Sequence, residues 1–181
     1  WVQATKIGGR ESEPLALEEI AAALAERIAA APDDTWIIGP GSTTAALMAH
    51  LGLPNTLLGV DVIRDGQLIA VDVTATRLLE LVGDGPAQLV VTAIGGQGHV
   101  FGRGNQQLSP ELLRRLGRER IHVVATRSKL AALEGRPLVV DTGDAALDRE
   151  LAGHVPVVTG YEDRVLYPLG ELDADDASGE A

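Results

Sequence analysis

Cysteine is absent from the 181-residue chain. This excludes disulfides, thiolate metal sites and cysteine nucleophiles, and fits a reducing cytoplasm. Aromatic residues are scarce at 3% against 45% apolar residues, so the core must be built from Ala, Val, Leu and Ile. Positive charge is also short: two lysines and thirteen arginines leave a formal charge of −11. Nucleic-acid or anionic-membrane binding over a broad surface needs the opposite balance, so any phosphate site has to be local. No apolar run approaches the roughly 20 residues that span a bilayer, and the N-terminus lacks the basic flank and apolar stretch of a signal peptide. The expectation is a soluble, cytoplasmic protein with a small-molecule partner, no nucleic acid and no membrane. Assembly into a homo-oligomer stays open. The chain opens at Trp1, which suggests the back part of a longer protein.

Hydrophobic periodicity gives the layout. WVQATK reads as an opening strand and IGGRESEP as a polar turn. In LALEEIAAALAERIAAA, Leu17, Ile20, Leu24 and Ile28 recur at three and four residues, the mark of an amphipathic helix closed by Pro32. The strand TWIIG leads through GPGSTT into a second helix ending near Leu51. LLGVDVI and QLIAVDV, joined by Asp65 and Gly66, read as a hairpin. Thr74 caps TRLLELVG, AQLVVTAI is a strand, Ser109 and Pro110 open the helix PELLRRLG, and IHVVATR is a strand. KLAALEG, PLVVDTGD, AALDRELAG and VPVVTGY then alternate short helix and Val-rich strand. Continuous apolar strands separated by helices predict a three-layer α/β fold, a mostly parallel sheet with helices on both faces. One domain over residues 1–168 is expected, with an acidic, polar tail over 169–181 that reads as disordered.

Chemistry concentrates in VVTAIGGQGHVFGRGNQQ. Gly95, Gly96, Gly98, Gly102 and Gly104 reach positive φ cheaply and let successive backbone N–H groups converge on an anion. Gln97, Arg103, Asn105, Gln106 and Gln107 add side-chain donors. Long loops are usually functional or disordered, and the chain's single phenylalanine, Phe101, argues against a solvated tether. The spacing of Gly96, Gly98 and Gly102 departs from the dinucleotide fingerprint, which weighs against a dehydrogenase.

Three other loops follow apolar strands, where ligands gather in open α/β sheets. Gly39, Pro40, Gly41, Ser42, Thr43 and Thr44 form a helix entry rich in hydroxyls, suited to phosphate or serving only as an N-cap. Asp141, Thr142, Gly143 and Asp144 form an acidic strand end, suited to a ribose hydroxyl or hydrated Mg²⁺ or serving to cap the next helix. Thr159, Gly160 and Tyr161 either stack on a base or turn the chain. Asp61 and Asp72 either point outward by alternation or are buried carboxylates that mark a site. His50, His99, His122 and His154 are isolated, and no residues have metal-ligand spacing, so no bound metal is expected. No serine has the context of a nucleophile, and Gly83, Asp84 and Gly85 read as a turn.

Taken in order, VQATK, GPGSTTAAL, LGVDVIRDGQL, TAIGGQGHVFGRGNQQLSPELLRRLG, VVATRSKLAAL, VDTGD and VVTGY resemble the C-terminal half of the ATP-NAD kinase-like family, from about Val2 to Tyr167. That family includes an accessory protein associated with acetoin catabolism. The resemblance implies a nucleotide-binding domain and phosphoryl transfer from ATP or polyphosphate to the ribose of NAD, giving NADP. The family's N-terminal half carries a Gly-Gly-Asp-Gly motif with a catalytic carboxylate, and this chain is expected to begin after it. The isolated domain is therefore expected to need that N-terminal kinase domain for turnover, and its catalytic residues stay unassigned. Ala93 stands where the family commonly has proline. The alternative is a stand-alone sensor or isomerase-like domain for a sugar phosphate or nucleotide, with Lys6 the one nearby acid-base candidate.

Overall fold

The computed structural model describes residues 9–170. Six helices, α1 (Gly9–Ala30), α2 (Ser42–His50), α3 (Ala75–Val82), α4 (Pro110–Leu116), α5 (Arg127–Ala131) and α6 (Ala145–Leu151), are interleaved with nine strands. The strands are β1 (Thr35–Ile38), β2 (Asp61–Arg64), β3 (Gln67–Ala70), β4 (Ala87–Thr92), β5 (His99–Phe101), β6 (Ile121–Val124), β7 (Leu138–Val140), β8 (Gly153–Val158) and β9 (Arg164–Gly170). They form one sheet in the order β3-β2-β1-β4-β6-β8-β9-β7-β5. Five pairings are parallel and three antiparallel, so the sheet is mostly parallel, as expected.

Alternation along the strands makes three layers. Trp36, Ile38, Val90 and Val124 turn to one face and pack on Ile20, Leu24 and Ile28 of α1 and Leu47 and Met48 of α2. Ile37, Leu89, Val91 and Val123 turn to the other face and share one core with Leu78 of α3, Leu112 of α4, Leu130 of α5 and Leu147 of α6. Burial on both sides explains why β1 and β4 read as unbroken apolar runs.

Local signals resolve as the sequence predicts. Thr74, Ser109 and Asp144 accept from the backbone N–H of Arg77, Leu112 and Leu147. Asp65 and Gly66 have φ of 51° and 67°, the turn that matches the twist of a two-residue hairpin.

Three expectations change. Gly9–Pro14, read as a polar turn, is the first part of α1. The glycine loop contains a strand, β5, which pairs with β7. The stretch Arg164–Gly170 is β9, the antiparallel partner of β8, so the tail boundary at 168/169 falls inside a strand in which Leu169 is buried. The opening WVQATK and residues 171–181 lie outside the described residues. Among the described residues no helix is long and apolar enough to cross a membrane.

The β8–β9 hairpin also bends the sheet. β8 meets β6 through Val157 and Val158, whereas β9 meets β7 through Leu169 and Gly170, at the hairpin's other end. The two halves of the sheet are thus joined at opposite ends of this hairpin, and they share one core. Ile94, just past β4, bridges His99 at the start of β5.

Candidate functional site

The strip that joins the predicted loops starts at α2. Gly41, with φ 137°, precedes the helix and offers no side-chain cap. The first intrahelical bond of this turn runs from Ala45 N to Gly41 O, so the amides of Ser42, Thr43 and Thr44 precede it. Such amides and the helix dipole favour an anion. Of the three hydroxyl residues only Ser42 is exposed; Thr43 and Thr44 are buried, and Thr44 Oγ1 donates to Gly41 O at 3.1 Å. Gly39 packs on Val90, and a Cβ at Gly41 would overlap the methyl of Thr92. Thr92 ends β4, is 1% exposed, and its hydroxyl has no hydrogen-bond partner among the described residues. Buried hydroxyls are normally paired, so an unpaired one beside an uncapped helix start points to a ligand.

From Thr92 the chain enters the glycine loop. Gly104 packs against Ile94, and Gly102, with φ 98°, sits so tightly on Asp141 that a Cβ would overlap its carbonyl oxygen. The loop's shape is held by Asn105, 1% exposed: its Oδ1 accepts from Gly102 N at 3.0 Å and its Nδ2 donates to Val100 O at 2.7 Å. Asn105, predicted as a ligand donor, thus has its side-chain amide engaged in bracing the loop. Gly95, Gly96, Gln97 and Gln106 are exposed, while Gly98 is packed on Leu133 and Leu138.

Arg103 is exposed and forms no ion pair among the described residues. Beneath it lies His99, buried, with Nδ1 unpaired among the described residues. Burial lowers the His99 pKa, the neighbouring Arg103 lowers it further, and Asp141 opposes both. The imidazole is therefore neutral at pH 7, and Arg103, His99 and Asp141 are neighbours at the meeting of the second and third loops.

The third loop divides its tasks. Asp141 is exposed and its N–H donates to Phe101 O at 3.2 Å. Thr142 is tied to Asp148, whose Oδ1 accepts from both its N–H and its hydroxyl, and Gly143 is exposed with open space around it. Asp144 caps α6 and pairs with Arg114 at 2.8 Å; that bond holds its carboxyl down at about 2. Thr142 and Asp144 are structural here, and Asp141 is the free carboxylate.

The remaining candidates are bracing elements. Asp61 is buried, accepting from Thr56 N and Asp72 N at 2.9 Å each, so the carboxylate organises the approach to and exit from the β2–β3 hairpin. Thr159 donates to Asp163, which Arg127 grips with two bonds, and Tyr161 donates to Glu26. Gly83 ends α3 as a turn. Among the described residues no group of His, Asp and Glu is arranged to hold a metal ion.

Thr92 and His99 are the site residues that sequence reading did not single out. Each has a signal in hindsight: a polar residue at the last position of an apolar strand, and a histidine between a glycine and two apolar residues.

The uncapped start of α2 and the glycine loop thus meet at Thr92, across the ends of β1 and β4 of an α/β domain. The model for the ATP-NAD kinase C-terminal domain matches residues 33–169, and the chain belongs to that family. No curated protein and no solved structure gives a significant match.

Proposed function

We propose that this domain binds the phosphates of an adenine nucleotide, ATP or NAD, along the strip from α2 to Asp141. The amides of Ser42 to Thr44 and the Thr92 hydroxyl receive one phosphate, and Arg103 closes on the polyanion from the glycine loop. The observation that carries the reading is the buried, unpaired Thr92 hydroxyl beside the uncapped start of α2. Family membership supports the nucleotide as the ligand.

In the complete cytoplasmic protein the reaction is phosphorylation of NAD to NADP, with Mg²⁺ entering on ATP. The 181 residues contain no Gly-Gly-Asp-Gly sequence, so a partner kinase segment supplies that carboxylate. Phosphoryl transfer is mainly positioning and charge neutralisation; this domain contributes donors and one guanidinium, which is binding without turnover.

Calorimetric titration with ADP, ATP and NAD tests the reading. Saturable heat is expected with each, and no NADP from NAD, ATP and Mg²⁺. Heat with a pentose phosphate and none with any adenine nucleotide would overturn it in favour of a sugar-phosphate sensor. Turnover by this chain would make Asp141 the leading catalytic carboxylate.

A further inference from the structure

A second cationic site lies away from the α2 end of that strip. Where β6 begins, Ile121 and His122 separate from β8, because the two strands pair only at Val123 with Val157 and at Val124 with Val158. Pro156 has no N–H to extend the ladder. A cavity of about 500 Å³ opens there, with Phe101, Val155 and Leu169 among its apolar walls. That volume is in the range of small-molecule sites.

Three arginines, Arg27, Arg118 and Arg164, line this cavity. None is in an ion pair among the described residues, although the chain carries 26 acidic residues against 15 basic ones. Arg27 is half-buried, and burial together with the nearby Arg164 pushes its pKa down, the signature of cations gathered without a counter-ion. Its hydrogen-bond partner is His122 Nδ1 at 3.0 Å. Arg27 can only donate, so Nδ1 accepts and Nε2 carries the proton toward Gln88 Oε1 at 2.9 Å. Gln88 in turn donates to Asp34 at 2.9 Å. This chain keeps His122 neutral and holds Arg27 in place. Arg118 is fixed by bonds to Ala152 O and His154 O. Glu119 is the one acidic side chain in the lining.

We propose that this cavity is a binding site for a phosphate monoester with an apolar or aromatic body. Three guanidiniums less the Glu119 carboxylate leave two positive charges, which a phosphomonoester dianion neutralises. Guanidinium forks suit phosphate oxygens, and the apolar wall takes the ester group. The cavity is distinct from the α2 end of the nucleotide strip: Ile121 opens β6, whereas Gly41 and Thr92 lie at the far ends of β1 and β4, which run parallel to it; the two sites approach each other at Phe101, whose carbonyl accepts from Asp141 N–H.

Phenyl phosphate is the probe, titrated by calorimetry and followed by NMR of the His122 ring. Saturable binding that shifts the His122 signal is expected. Arg164→Gln, at an exposed position, should weaken it at least about tenfold, the loss of one charge-assisted hydrogen bond, with an unchanged circular dichroism spectrum and unchanged ADP affinity. Arg164→Lys should restore part of it. Absence of saturation, equal affinity in Arg164→Gln, or inorganic phosphate binding as tightly as phenyl phosphate would each overturn the proposal. So would shifts at Gly41 and Thr92 in place of His122, because the ligand would then occupy the nucleotide strip.

Discussion

Gly102 rests on the carbonyl oxygen of Asp141, and this contact fastens the glycine loop to the acidic strand end. Its φ of 98° lies outside what side-chain-bearing residues adopt comfortably. Gly102→Ala meets both the strained backbone and the overlap, and is expected to destabilise the fold by about 2–4 kcal/mol. Urea denaturation measures it. A loss under about 0.5 kcal/mol, the size of an ordinary surface substitution, would mean that the loop has room to move off Asp141.

Arg103 gives the complementary result. Without an ion pair to hold the loop, Arg103→Ala should leave the melting temperature unchanged while weakening ADP binding by about 1.5–3 kcal/mol, the range for a charge-assisted hydrogen bond. Lysine at this position should recover part, because it offers a point charge in place of a fork. A lowered melting temperature without ligand, with affinity intact, would assign Arg103 to loop closure.

Thr92 separates stability from binding. Its hydroxyl is buried without a partner, so Thr92→Val removes an unsatisfied group while keeping the shape, and should raise stability by about 1 kcal/mol. The same change should weaken ADP binding. A variant that is less stable than the parent would show that the hydroxyl is already paired in solution.

His122 sets an acid-side dependence. Burial first, then Arg27 and Arg164, depress its pKa to about 4. The unfolded state takes up a proton near the ordinary histidine value while the folded state does not. Stability therefore falls as pH drops from about 6.5 to about 4, by up to about 3 kcal/mol. Asp144 and Asp163, each held at about 2 by an arginine, lose their contribution lower, as pH falls from the ordinary carboxylate value toward 2. Denaturation midpoints across pH 4–7 for the parent and His122→Gln should differ in slope; parallel curves would remove His122 as the cause.

What was legible in the sequence was what nearby residues decide. Thr74, Ser109 and Asp144 cap helices through bonds three residues away, and Asp65-Gly66 has one good turn, so those ends read correctly. β5 is three residues long within a glycine-rich stretch, and β9 contains Pro168 and exposes Leu166, so neither has a local pattern strong enough to declare itself. At the candidate site, residue types marked out the glycine loop, but not which groups are spent internally. Asn105 and Thr142 look like ligand donors until their partners Val100, Gly102 and Asp148 are known. The gathering of Arg27, Arg118 and Arg164 depends on folding three distant segments together, which no spacing reveals.

The hairpin of β8 and β9 is the seam through which the two halves of the sheet are joined. Val123 and Leu89 from one half share a core with Val100, Leu138 and Leu169 from the other. If the seam opens, α1 and α2 still cover one face of β1 and β4, but the face that shares its core with Val100, Leu138 and Leu169 loses that cover, so the two halves should melt as one cooperative unit, and amide exchange in β4 and β5 should slow to a common rate limit. The proposed nucleotide strip, which begins on β1 and ends beside β7, thereby inherits the global stability of the domain instead of the local stability of a loop.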